Sequence, residues 1–146
     1  MPRADVELAV LDASVAVRWF VGEAGSEQAA ELLTRPIGWL APRLLTTEVA
    51  AALRRNVVAG KLRAEFAIQA LEMLLQSAKN GSLTFAEDET LVLTALALAL
   101  TTECKLPDCL YLALAEREGA ALATANRALA RLAQRRNVNV HFIPSA

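Results

Sequence analysis

Apolar residues follow two rhythms along this chain. Short unbroken runs, "VELAVLD" (6–12), "IGWLAP" (37–42), "SLTFA" (82–86), "AALAT" (120–124) and "VNVHFI" (138–143), read as buried strands. Between them lie stretches with helical spacing of apolar positions. "SVAVRWFVGE", from Ser14, suits a short helix that stops before Gly22 and Gly25. "SEQAAELLTR" (26–35) suits a helix with Ser26 as its N-cap, broken by Pro36. Longer helices are predicted over 43–60, ended by Gly60, and over 64–79, closed by Asn80-Gly81. Three more follow over 88–102, 108–118 and 127–135.

Strands alternating with helices predict an α/β fold: a central, mostly parallel sheet with helices on both faces. Ligands of such sheets bind outside the carboxyl ends of the strands. Two polar stretches fall there. Asp12 and Ser14 follow the first strand, and Thr124-Ala125-Asn126 follows a late one.

The chain has 146 residues, which suits one domain over 1–146. Hydrophobic residues make up 55% and charged residues 21%, so the chain is globular. Aromatics are only 5%, which leaves alanine and leucine to do most of the packing. The net charge of -1 creates no global field that attracts nucleic acid. The distribution is less even. From Gly119 to Ala146 there are four arginines (127, 131, 135, 136) and no acid. Arg43, Arg54, Arg55, Lys61 and Arg63 form a second basic stretch, broken only by Glu48. Such stretches can bind a polyanion at one face, although charge alone favours solvated helix faces.

Two cysteines, Cys104 and Cys109, make no disulfide framework, and the lone His141 cannot complete a zinc set. Arg3, Asp5 and Glu7 precede the first apolar run, so no signal peptide is expected. "LVLTALALAL" (91–100) is too short to span a bilayer. A reducing, cytoplasmic setting is the resulting expectation, with no membrane partner.

Several chemistries are excluded. No GxGxxG follows a strand, and "AGK" (59–61) lies at a helix end rather than in a phosphate loop. Ser14 stands where an aspartyl-phosphate phosphatase needs its second acid. No G-x-S-x-G elbow is present, and His141 falls in a strand, which disfavours a Ser-His-Asp hydrolase.

What remains is a sparse set of acids. Asp12 ends a buried strand, Glu48 sits in the apolar "LLTTEVAAAL", and Asp108 opens the helix "CLYLALAERE". Leu44, Leu45 and Ala52 share the helical face of Glu48. A carboxylate on such a face is costly to bury unless something pairs it. Hard cations such as Mg²⁺ or Mn²⁺ want oxygen ligands, usually one or two carboxylates with water and substrate phosphate. Each acid also has a structural reading: Asp12 and Asp108 as helix caps, Glu48 as an ion-pair partner of Arg54 or Arg55. The residues by themselves leave metal site and structural acids evenly balanced. Trp19 and Phe20 read as core or interface residues, and Tyr111 as packing with its hydroxyl toward a polar edge.

"VLDASVAVRWFVGE", "APRLLTTEVAAALRR" and "LPDCLYLALAEREGAALATANRAL" together resemble the PIN-domain nucleases, most closely the VapC-type toxins of toxin–antitoxin modules. The resemblance runs in order over nearly the whole chain. It implies a three-layer α/β/α sandwich with about five strands and a Mg²⁺- or Mn²⁺-dependent endoribonuclease. By position, Asp12, Glu48 and Asp108 would form the acidic, metal-holding triad, and Ser14 would support the metal shell or the phosphate. Thr124 and Asn126 occupy a T-x-D stretch where many members carry a fourth acid. Asn126 is neutral, so one metal is expected, with a second held weakly or only when substrate is present. The implied reaction is hydrolysis by a metal-activated water, leaving 5′-phosphate and 3′-hydroxyl ends, with Asp108 or Glu48 orienting the water. Arg18 and Arg127 are possible contacts to RNA phosphate. The resemblance also implies a homodimer neutralised by a small cognate antitoxin, with "AIQALEMLLQ" (67–76) and the preceding helix as one possible interface. Two other functions stay open: a PIN nuclease in RNA maturation outside a toxin module, and a catalytically weak acidic-pocket binding module.

Overall fold

The computed structural model describes residues 6–144; Arg3 and Asp5 lie outside them. Five strands form one sheet in the order β3-β2-β1-β4-β5, and every neighbouring pair is parallel. They are β1 (Glu7–Leu11), β2 (Ile37–Pro42), β3 (Leu83–Ala86), β4 (Ala121–Thr124) and β5 (Val140–Phe142). Both faces of a parallel sheet are covered, which is why its central strands read as continuous apolar runs. Ala9, Val10 and Leu11 of β1 and all four residues of β4 are buried.

The helices are α1 (Ala13–Ala16), α2 (Ser26–Leu32), α3 (Leu44–Val58), α4 (Ala64–Lys79), α5 (Val92–Thr101), α6 (Leu106–Glu118) and α7 (Arg127–Arg135). The connections β1→β2→β3 run toward one edge, and β3→β4→β5 run toward the other. With right-handed crossovers, α1–α4 cover one face of the sheet and α5–α7 the other, giving the expected α/β/α sandwich. The direction of winding reverses between β1 and β4. The chain segments leaving these two strands therefore flank a crevice at the carboxyl edge of the sheet.

Local differences from the sequence reading have local causes. The helix after β1 is one α turn followed by a 3₁₀ turn over Val17–Trp19. Ser26 does not cap α2; its Oγ accepts from Glu23 N–H and donates to the Val21 carbonyl. The N-cap is Gly25 at φ +90°, where a Cβ would stand 2.6 Å from the Pro144 carbonyl oxygen. α2 ends at Leu32 and passes through turns closed by the N–H groups of Thr34 and Arg35 to Pro36, which disfavours helical backbone in Arg35. α5 starts only at Val92, after a 3₁₀ turn at Asp88–Thr90. Asp88 instead accepts from the Leu44 N–H across the fold and satisfies the start of α3. α6 begins at Leu106, because Pro107 is tolerated in a first helical turn.

Both cysteines are free. Among the described residues, no helix is long and apolar enough to cross a membrane.

Candidate active site

Asp12 leaves β1 at the winding reversal and is 4% exposed. Its backbone N–H donates to the Ala123 carbonyl of β4, which ties the two strand ends together. It occupies the N-cap position of α1, yet its side chain makes no capping bond. Instead two hydroxyls converge on one of its oxygens: Ser14 Oγ donates to Oδ2 at 2.7 Å and Thr124 Oγ1 at 2.6 Å. The other oxygen, Oδ1, receives no side-chain hydrogen bond. Burial pushes the Asp12 carboxyl up from its ordinary range, and the two hydroxyls pull it back in part.

The hydroxyls are themselves held. Ser14 Oγ accepts from Ala125 N–H at 2.9 Å, and Thr124 Oγ1 accepts from Asn126 N–H at 3.0 Å. The turn after β4 thereby fixes the proton direction of both groups: with an N–H pointing at each oxygen, each O–H is free to point at Asp12.

Glu48 lies on α3 and is half-buried. It forms no ion pair with Arg54 or Arg55; its partner is Tyr111 of α6, whose hydroxyl donates to Oε1 at 2.6 Å. Tyr111 is fully buried. Burial raises the Glu48 carboxyl, and the negative charge of Asp12 adds to the rise. Asp108 sits in the first turn of α6, not at its N-cap, which is Lys105. Its carboxyl is raised to about 6, first by burial and then by the charges of Asp12 and Glu48.

Asn126 is the N-cap of α7. Its Oδ1 accepts from Leu129 N–H at 3.2 Å, and its Nδ2 donates to Asp108 Oδ2 at 3.3 Å. The capping bond decides which way the amide points, because only the oxygen can accept from a backbone N–H. Asn126 therefore turns its donor, not its oxygen, toward Asp108.

Asp12, Ser14, Glu48, Asp108 and Asn126 line one groove of about 590 Å³. None of the three acids forms an ion pair among the described residues. Three mutually repelling carboxylates, supported by hydroxyls and one amide, make an all-oxygen donor set that suits a hard divalent cation. Among the described residues, no three His, Cys, Asp or Glu side chains stand close enough together to hold a metal ion between them as they are. Mg²⁺ does not require that, since it usually keeps several waters beside one or two carboxylates.

The remaining sequence candidates are arranged otherwise. Arg18 lines the groove, but its guanidinium donates to the carbonyls of Ala24 and Ser14 and lies 3.9 Å from Glu23. Arg127 lies 5.1 Å from the ring centre of Phe142 and does not line the groove. Trp19 packs edge-on to Trp39 and donates to the Ala29 carbonyl. His141 pairs with Glu7 at the far end of β1 from Asp12. Sequence reasoning missed Arg55, Asn56 and Lys61 as groove residues.

A search of curated proteins finds no match. The family model for the PIN domain matches residues 9–135. The chain belongs to the PIN domain family. PIN domains are nucleases, and they generally use divalent metal ions. Several solved structures share the fold. PAE2754 from Pyrobaculum aerophilum is 21% identical with a TM-score of 0.65, over 86% of this chain and 84% of that one. VapBC2 from Rickettsia felis, bound to a DNA fragment from its promoter, is 15% identical with a TM-score of 0.63, over 94% and 99%. A toxin–antitoxin complex from Klebsiella pneumoniae is 21% identical with a TM-score of 0.58, over 81% and 86%. At these identities the likeness is one of fold.

Proposed function

We propose that this PIN domain is a metal-dependent endoribonuclease and the toxin of a toxin–antitoxin pair. One observation carries the reading. Three carboxylates from three different elements face one groove at the winding reversal, and hydroxyls and an amide hold them in place of cations. That arrangement leaves their negative charge for a ligand.

Asp12, Glu48 and Asp108 would hold Mg²⁺ or Mn²⁺. When bound, such an ion lowers the pKa of a coordinated water and offsets charge on the scissile phosphate. The chain's own groups do the positioning. Ser14 and Thr124 orient Asp12, Tyr111 orients Glu48, and Asn126 orients Asp108. Asp108 or Glu48 orients the attacking water, since no histidine reaches the groove. In-line attack then leaves a 5′-phosphate and a 3′-hydroxyl. Because the Asn126 oxygen is committed to the α7 cap, one metal is held well, and a second depends on substrate phosphate.

The toxin assignment draws on the toxin–antitoxin and VapBC complexes among the structures of similar fold. Two exposed apolar faces suit protein partners. α4 exposes Phe66 and Met73, seven residues apart on one side, and α5 exposes Leu93, Leu96 and Leu100 along one side. We assign them to the antitoxin and to a second copy of the chain.

Asn126 gives the binding-module reading its one specific support, since it removes a ligand from the acidic set. Sequencing RNA 5′ ends after expression separates the readings. Wild type is expected to create new internal 5′-phosphate ends that Asp108→Ala does not. Identical end profiles for the two proteins would favour the binding module.

A further inference from the structure

The groove that holds the acids does not end at Asp108. A second crevice of about 400 Å³ starts on the other side of Asp108 and Asn126, which line both. Their shared lining makes the Asp108–Asn126 pair the saddle where the two meet, and the pair of crevices is termed the trough. Its walls differ in origin. The first arm is bounded by the C-terminal part of α3, with Arg55, Asn56 and Lys61. The second is bounded by the start of α6 and one side of α7, with Lys105, Arg131 and Arg135.

The pairing of the cations follows this trough. Arg18, Arg35, Arg43, Arg63, Arg117 and Arg136 each have a carboxylate partner. Of the basic side chains without one among the described residues, Arg55, Lys61, Lys105, Arg131 and Arg135 line the trough; Arg54, Lys79 and Arg127 do not. All five in the trough are exposed and make no side-chain hydrogen bond among the described residues. Each arm also carries an acid: Glu23, beside Arg18, in the first and Glu103 in the second. A chain of net charge -1 thus keeps free positive charge on both sides of a negative centre. That alternation suits a flexible polyanion whose middle phosphate meets a cation at the acids and whose flanking phosphates meet side chains.

We infer that a single RNA strand lies along this trough, crossing the Asp108–Asn126 saddle, with Arg55 and Lys61 holding phosphates on one side of the cut. Lys105, Arg131 and Arg135 hold phosphates on the other. The inference rests on the ribonuclease reading and adds the strand's path. It also agrees with the internal cutting proposed above, since a strand on this path continues past the acids in both directions. It transfers the phosphate-binding role from Arg18 and Arg127, whose guanidinium groups are otherwise engaged, to five free cations.

The test uses the full chain in chelator, so that RNA binds without being cut, and a fluorescein-labelled 12-nucleotide RNA of mixed sequence. Affinity is measured by anisotropy over a series of salt concentrations. The variants are Arg55→Ala/Lys61→Ala for one arm, Arg131→Ala/Arg135→Ala for the other, and Arg54→Ala/Lys79→Ala as an off-trough control of equal charge change. Circular dichroism checks that each is folded. Each arm variant is expected to bind about tenfold or more weakly and to lower the salt slope by about 1.4, two single-strand phosphate contacts at about 0.7 each. The control is expected to change affinity less than about twofold, as sites outside the path should.

Equal losses in all three variants would overturn the path in favour of a diffuse field, and loss from one arm alone would overturn the two-sided path. Cleavage with Mn²⁺ is measured separately. Wild type that cuts RNA while both arm variants bind and cut normally refutes the path and leaves the nuclease reading standing. Wild type that binds through both arms and never cuts supports the path and refutes the nuclease reading.

Discussion

The buried hydroxyl of Tyr111 donates to Glu48 Oε1 at 2.6 Å, linking the core of α6 to the acid of α3. A buried phenol must find a partner, and here the partner is a carboxylate that burial and its acidic neighbours leave short of compensation. Tyr111→Phe keeps the packing and removes that donor. Its expected effects are a drop in Mn²⁺ affinity and in cleavage of about 10- to 100-fold, as for other groups that orient a metal ligand. Stability should fall by about 1–2 kcal/mol. Calorimetric metal titration and thermal melts measure the two effects on one sample.

Thr124→Val tests the support of Asp12. The substitution conserves shape but removes a donor to Asp12 Oδ2 and the acceptor for Asn126 N–H. Stability in chelator at pH 7.5 is expected to fall by about 2 kcal/mol, with part of the loss recovered by added Mn²⁺. Denaturant melts with and without Mn²⁺ check it.

Asp108 predicts an inverted pH dependence. Its folded-state carboxyl is raised to about 6 from an ordinary 3.8, so the native state holds the proton more tightly than the unfolded chain. The stabilisation from that proton is complete below about pH 4 and is lost as pH rises through about 6. Solvent screening of this half-buried group reduces the effect to about 1 kcal/mol. In chelator, Asp108→Asn is expected to melt higher than wild type at pH 7.5 and close to it at pH 4.5, while losing cleavage altogether. Mn²⁺ should stabilise wild type at pH 7.5 and leave the variant almost unchanged.

Asn126→Asp should raise the metal count. An aspartate still accepts from Leu129 N–H, but it replaces the amide donor facing Asp108 with a second negative charge. Calorimetry with Mn²⁺ is expected to give one site for wild type and two for the variant, with the metal-free variant about 1 kcal/mol less stable.

The sheet was legible because fully buried parallel strands leave unmistakable apolar runs, and the helices between them keep their spacing. Helix ends were less so. Neither the long-range cap from Asp88 to Leu44 nor the close approach of Gly25 to Pro144 has a local signature. At the site, the positions of Asp12, Glu48 and Asp108 were readable from element ends and from family motifs. Ser14, Thr124 and Asn126 were named beside them by the same motifs, but which carboxylate each support meets was not readable, because Tyr111 and Thr124 reach acids 63 and 112 residues away. One signal was available and unused. Glu48, Ala52, Arg55 and Asn56 recur on one face of α3, Ala59 continues that face just past the helix end, and all five line the groove. That periodicity distinguishes Arg55 from its neighbour Arg54, which a count of basic residues does not.

The most direct test of the central claim is cleavage of a 5′-labelled RNA by wild type and by Asp12→Asn, each with Mn²⁺ and with chelator, on protein shown to be folded. Wild type is expected to cut internally with Mn²⁺ only and to leave a 3′-hydroxyl on the labelled fragment, while Asp12→Asn loses about three orders of magnitude in rate, as when a principal charge-stabilising group is removed. Equal degradation by the two proteins, or cleavage that persists in chelator, would contradict the account.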